Sequence, residues 1–317
     1  MSVLVDLIVM LGMLVVVPAG LQLTGAPELD RIRRLWPLFA VPGAVALWLP
    51  RGGPATVLAG CYALGALLLA LHAPLRAVRA SAAHRTAEIA LFTALVTPSV
   101  AATALVAERS GHALFGFGLG ILALTVPHFH FAGFAAALIA GLVCRVADGP
   151  AGTFAASSVP AGTLLVLIGY FVGDWAELAG AVVLTAGMWA VALLTWRTIR
   201  GSGRDRTTRM LFAVSSAVLV ATMVLALSWA LGEATGLPHP TLTWMAATHG
   251  LGNALGFALC SVLAWRRLQD RPEQAPPEQP PPDCPRTERP PAAPALTTSV
   301  RTKPPLTDLT DLKGRTS

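Results

Sequence analysis

Two histidines stand in the middle of a long apolar stretch of this chain. His128 and His130 follow Pro127 inside a run that extends from His112 to Arg145. An imidazole can hydrogen-bond a solute, carry a proton or bind a transition metal. Because ionisable groups are costly in hydrocarbon, histidines at this position predict a functional site.

A second polar cluster lies near the end of the apolar sequence, inside the run 242–265. His249 and Asn253 are four residues apart, and small residues recur around them at three- and four-residue steps. This spacing predicts one small and polar helix face, which packs inward in a membrane. Asn253 lies near the middle of its run, at about the depth predicted for the first pair. The sequence therefore predicts one midplane site, whose solute-binding or proton-relaying residues are Thr125, His128, His130, His249 and Asn253.

The chemistry of this site is open among three interpretations. The residues bind a solute or relay protons, or they hold a metal or a haem through His128, His130 and His249 for redox or sensing. In the third interpretation they only link helices in a non-catalytic assembly protein. On an ideal helix His128 and His130 point about 200° apart, but a helix opened at Pro127 would let them converge. The sequence requires no cofactor.

The acidic residues Asp174 and Glu177 stand together at the start of an apolar run. Their spacing is typical of a helix N-cap and its partner three residues later. The functional alternative is an acidic outer mouth that attracts cations.

The two histidine motifs resemble those of the YndJ-like family of bacterial polytopic membrane proteins. The matching strings are His128-Phe129-His130-Phe131-Ala132-Gly133-Phe134 and His249-Gly250 with Asn253-Ala254-Leu255-Gly256-Phe257. Members of this family are commonly labelled transporters. The resemblance implies a multi-pass helical fold, and it points to both motifs as important.

The composition places these motifs in a membrane protein. The 317 residues are 54% hydrophobic and only 13% charged, and a soluble domain carries about 25% charged residues. The net charge is +6, but most arginines lie at the ends of apolar runs and form no basic face. That placement argues against nucleic acid as a partner and in favour of the lipid bilayer.

The apolar runs predict an all-α bundle of about nine transmembrane helices. They lie near residues 3–23, 35–50, 54–72, 86–107, 112–145, 155–173, 176–196, 210–232 and 242–265. With one crossing at 112–145, fifteen arginines fall in loops on one side of the membrane, whereas the other side has only Arg51 and Arg109. Because arginine is retained in the cytoplasm, this bias predicts an outside N-terminus and a cytoplasmic C-terminus.

The sequence divides into a transmembrane domain, 1–267, and a proline-rich segment, 268–317. The second segment holds 12 of the 25 prolines and few large apolar residues, so we expect a disordered cytoplasmic tail. Its PxxP steps would suit a proline-recognising domain, although a solvated tail needs no partner.

Together these features predict a multi-pass protein of the bacterial inner membrane that transports a small solute or ion. The alternative is a membrane haem or metal protein.

Overall fold

The computed structural model describes residues 3–79, 85–147, 149–201 and 204–270, and the regular elements in these ranges are helices. Nine long helices follow one another within the described ranges. They are α1 (Val3–Leu23), α2 (Pro27–Ala46), α3 (Gly53–Arg79), α4 (Arg85–Ser110), α5 (Leu119–Val146), α6 (Pro150–Val172), α7 (Asp174–Ile199), α8 (Arg206–Thr235) and α9 (Leu242–Asp270). The all-α class and the approximate helix number are confirmed.

Eight of these helices are long and apolar enough to cross a membrane, and α2 is the exception. This helix begins at Pro27, whereas the sequence placed its start near residue 35. The apolar run began too late because the first turns of the helix carry charged residues. Its C-terminal end lies beside the end of α4, where Arg109 Nη1 donates to the carbonyl oxygens of Leu47 and Leu49 at 3.1 and 3.4 Å. The helix thus runs between the two ends of the bundle. The orientation of the bundle in the membrane stays a prediction.

The long apolar run 112–145 is a turn followed by one helix. Phe115 and Gly116 adopt left-handed conformations with φ of 55° and 86°, and Leu114 and Phe117 exchange backbone hydrogen bonds. The helix α5 therefore begins only at Leu119. Its midpoint lies past residue 132, so His128 is displaced by roughly 7 Å from the middle of the helix, toward its N-terminal end.

Helix α5 forms the centre of the bundle, with 78% of its apolar segment buried inside the protein. Its neighbours approach through glycines. A Cβ added to Gly20 of α1 would lie 2.7 Å from Phe134, and one added to Gly133 would lie 2.7 Å from Thr97 of α4. Small residues at these positions bring α1 and α4 close to the central helix.

Helices α6 and α7 are in backbone contact along much of their length. A Cβ added to Gly162 would lie 2.5 Å from the backbone of Leu184, and one added to Gly169 would lie 2.5 Å from the Cα of Glu177. This contact fixes Tyr170, the residue after Gly169, at the same level as Glu177.

Carboxylates bound to arginines join the helices near their ends. Glu88 of α4 binds both Arg76 and Arg145, the first at 2.7 Å. At the other end of α4, Glu108 is fully buried and binds both arginines of the predicted outer side, Arg51 and Arg109. Helix α9 continues to Asp270, and the predicted tail beyond it lies outside the described residues.

Candidate functional site

A cavity of about 260 Å³ lies among α1, α5, α6, α7, α8 and α9. Apolar side chains form most of its wall. The polar residues in the wall are Thr125, His128, Tyr170, Glu177, His249 and Asn253. The cavity lies toward the end of the bundle at which α5, α7 and α9 begin.

His128 is the unpaired imidazole of this wall. Its side chain forms no hydrogen bond or ion pair with another described residue, and its ring lies 6.4 Å from the ring of Tyr170 between centroids. Two nitrogen atoms are thus left for whatever occupies the cavity. An unpaired polar group at this depth is costly unless water or a solute binds it.

His130 points to the opposite side of α5 and is completely buried. Its Nδ1 lies 2.7 Å from the carbonyl oxygen of Val126, and its Nε2 lies 2.5 Å from the hydroxyl of Tyr62. Because a carbonyl only accepts, Nδ1 carries the proton and Nε2 accepts the hydrogen bond from Tyr62. Both nitrogens of a neutral imidazole are therefore satisfied by the protein. The structure does not bring His130 to the cavity with His128.

The local backbone explains this separation of the two histidines. Helix α5 is not broken at Pro127, but it widens into a π-helical segment over Phe129–Ala135. Helix α1 contains a second π-helical segment, Gly12–Val16, directly against it. A Cβ on Gly12 would lie 2.9 Å from Cγ of His130, so the glycine leaves the space that the imidazole fills. Widened turns of this kind often occur at functional sites.

His249 and Asn253 belong to a hydrogen-bonded network with Thr222 of α8. Nδ1 of His249 donates to the carbonyl of Thr222 at 2.8 Å, and Nε2 accepts from the amide of Asn253 at 3.1 Å. The amide oxygen of Asn253 accepts from the Thr222 hydroxyl at 2.7 Å. This network sets the orientation of the Asn253 amide, and it leaves one amide N–H without a partner among the described residues. The surrounding part of α9 is π-helical over Ala246–Gly250 and Gly252–Leu259.

The two acidic residues Asp174 and Glu177 lie in different surroundings in the structure. Helix α7 begins at Asp174 after Gly173, and no side chain caps it, so the interpretation of the pair as a capping motif is wrong. Glu177 lines the cavity, whereas Asp174 is exposed and lies outside its wall. Thr125, the other predicted residue, lines the cavity and donates its hydroxyl proton to the carbonyl of Ile121 at 2.9 Å.

The predicted metal ligands are not assembled. No three His, Cys, Asp or Glu side chains among the described residues form a group that could hold a metal ion. His128 and His249 face the cavity, whereas His130 is bound to Tyr62.

Sequence reasoning missed four residues near the histidines, namely Tyr62, Tyr170, Thr222 and Trp229. A signal existed for two of them. The chain contains only two tyrosines, and each contacts one histidine of α5. Scarce polar aromatics inside apolar runs are candidates for buried hydrogen bonds.

Comparison with known protein families identifies the family to which the chain is similar. A family model described as YndJ-like protein matches residues 7–257, which include both histidine motifs and end before the proline-rich segment. No curated protein and no solved structure matches the chain.

Proposed function

The chain belongs to the YndJ-like family, and we propose that it is a carrier that moves a small solute across the bacterial inner membrane. The solute binds in the cavity between α5 and α9. The observation that carries this proposal is the unpaired His128 in a cavity wall whose other imidazole, His249, is held in a closed network.

The two histidines of the wall have different roles in this proposal. His128 supplies free hydrogen-bonding atoms for the solute. His249 and Asn253 form a rigid part of the wall, because Thr222, which lies outside the cavity lining, orients both side chains. A pre-oriented wall lowers the entropy lost when the solute binds.

The backbone around the cavity supports movement as well as binding. Helices α1, α5 and α9 all line the cavity, and each contains a π-helical segment. Many carriers place irregular helix segments around a central site, about which the surrounding helices move to open alternate sides. We propose that these segments allow such a movement here.

Accessibility of His128 from each side of the membrane tests this function. The protein carries His128→Cys in a background without Cys61, Cys144, Cys260 and Cys284, and is placed in vesicles. A membrane-impermeant thiol reagent is applied either outside or inside. A carrier exposes its site to each side in turn, so we expect labelling from both sides.

His130→Cys is the matched control, because it lies two residues away but faces Tyr62. We expect its labelling to be about tenfold slower or more, since a buried thiol must await local opening of the bundle. Labelling of His128→Cys from one side only would contradict a carrier. Absence of labelling would exclude the cavity as a solute site.

A further inference from the structure

The charges around the cavity indicate what kind of solute it accepts. Of the residues that line it, Glu177 is the acidic one, and no arginine or lysine lines the wall. The Glu177 carboxylate has no hydrogen-bond or ion-pair partner among the described residues. The described carboxylates that bind arginines are Asp30, Glu88, Glu108 and Asp205, and they lie outside this wall.

Glu177 is held in position by the tight contact of α6 and α7. Because Gly169 packs on the backbone of Glu177, the backbone positions of Glu177 and Tyr170 are fixed relative to each other unless the two helices separate. The ring of Tyr170 in turn lies 6.4 Å from that of His128. A carboxylate, a phenol ring and an unpaired imidazole therefore follow one another along one side of the cavity.

The remaining wall suits a cation with an apolar surface. Trp229 of α8 and Phe131 of α5 contribute aromatic rings, and Met188, Met223 and Met245 contribute polarizable thioethers. Aromatic faces attract cations, and the attraction is larger where water is excluded. A divalent inorganic cation usually binds several carboxylates, whereas the described residues hold no group of three His, Cys, Asp or Glu side chains that could bind a metal, and this wall contains one carboxylate.

The volume of the cavity limits the size of the solute that it can hold. About 260 Å³ corresponds to roughly nine water molecules at about 30 Å³ each. A solute of about ten non-hydrogen atoms would fill such a space.

We propose that the cavity binds a small organic ammonium ion, whose positive charge lies between the Glu177 carboxylate and the rings of Tyr170 and Trp229. Its polar end reaches His128. The inference rests on the proposed carrier function and names its substrate class.

Binding of choline and of its neutral isostere, 3,3-dimethylbutan-1-ol, tests the substrate class. The two probes have the same shape and differ by the charge. Binding to the full-length protein in lipid nanodiscs is measured by calorimetry. We expect choline to bind at least about tenfold more tightly, because its charge meets a carboxylate in a poorly solvated site.

Two variants test whether Glu177 is the residue that recognises the positive charge of choline. Glu177→Gln keeps the shape of the side chain, and we expect it to abolish the preference for choline. Glu233→Gln is the matched control, because Glu233 is an acid of the same end of the bundle that binds His239 at 3.1 Å and does not line the cavity. We expect it to change choline binding by less than about threefold, since Glu233 is exposed to solvent, which screens its charge, and lies outside the cavity wall.

Equal affinity for the two probes, no binding of choline, or a preference that survives Glu177→Gln would each overturn the proposal. These results would not affect the carrier function, which depends on labelling of His128→Cys from both sides. Labelling from one side with choline-selective binding would instead leave a cation-binding protein that is not a carrier.

Discussion

The two sides of α5 differ more than the sequence of the helix suggests. On one side, His130 is completely buried, both ring nitrogens are hydrogen-bonded, and Gly12 fits against the ring. On the other side, His128 borders an open volume of about 260 Å³ and has no partner among the described residues. The same residue type, histidine, thus packs with complete hydrogen bonds on one face of α5 and remains unpaired on the other.

Burial alone therefore does not identify a functional site in an apolar bundle. A polar group whose hydrogen bonds are complete contributes to the fold, because it has no remaining capacity for a ligand. A polar group that borders a cavity without a partner has that capacity. By this criterion His128, Glu177 and one amide N–H of Asn253 belong to the site, and the Tyr62–His130 pair belongs to the scaffold.

Alanine replacement of each histidine should give the largest contrast. We expect His130→Ala to lower the free energy of unfolding by about 2–4 kcal/mol, because it leaves a cavity and an unpaired Tyr62 hydroxyl. His128→Ala should change it by less than about 1 kcal/mol, since no protein hydrogen bond is lost. The measurement is equilibrium unfolding in mixed detergent micelles. Equal losses for the two variants would contradict the division of α5 into two faces.

A pair of glycines extends the contrast to the neighbouring helices. Gly162→Ala puts a methyl group 2.5 Å from the backbone of Leu184, and we expect a loss of about 1–3 kcal/mol in the same unfolding measurement. Gly250→Ala, on the cavity side, meets no atom closer than 3.7 Å, so its effect should be within about 0.5 kcal/mol. If Gly250→Ala lowered the free energy of unfolding as much as Gly162→Ala, the cavity side would also be tightly packed.

The fold could be predicted from the sequence because each apolar run must form its own hydrogen bonds in lipid, which favours a helix. The starts of helices were predicted less well. Apolar composition does not register the charged first turns of α2 from Pro27, nor the turn around Gly116 that delays α5 to Leu119.

The cavity wall was predicted in part. Thr125, His128, His249, Asn253 and Glu177 were named from the sequence, and all of them line one cavity. The direction of His130 could not be predicted, because it depends on Tyr62, which is 68 residues away in sequence. Rotation about a helix is decided by such tertiary contacts, and spacing along the chain does not reveal them.

The network behind His249 gives a smaller effect on stability. Asn253→Leu removes the partner of Nε2 of His249 and the nearer of the two acceptors of the Thr222 hydroxyl, the other being the carbonyl of Leu219 at 3.1 Å. We expect a loss of about 1 kcal/mol. Thr222→Val should act through the same contact. The double variant should therefore be less destabilised than the sum of the two, by about 0.5–1 kcal/mol. Strict additivity would show that the three side chains are not a unit, and the rigid wall of the cavity would lose its support.

The smallest effect is expected where α8 and α9 are joined, roughly 27 Å along α9 from His249. The pKa of Asp205 lies well below its usual range. The main cause is hydrogen bonding from the hydroxyl and backbone N–H of Thr208, and the guanidinium of Arg267 adds to it. Because the folded carboxyl binds its proton at lower pH than the unfolded one, this contribution to stability is present above about pH 4 and is lost as the pH falls further.

The melting temperatures of wild type and Asp205→Asn should therefore differ slightly near pH 7 and converge in acid. Thr208→Val should remove part of the difference. A constant gap from pH 7 to pH 3 would show that the contact does not depend on the charge, and that the cavity-lining helices are joined at this end by packing alone.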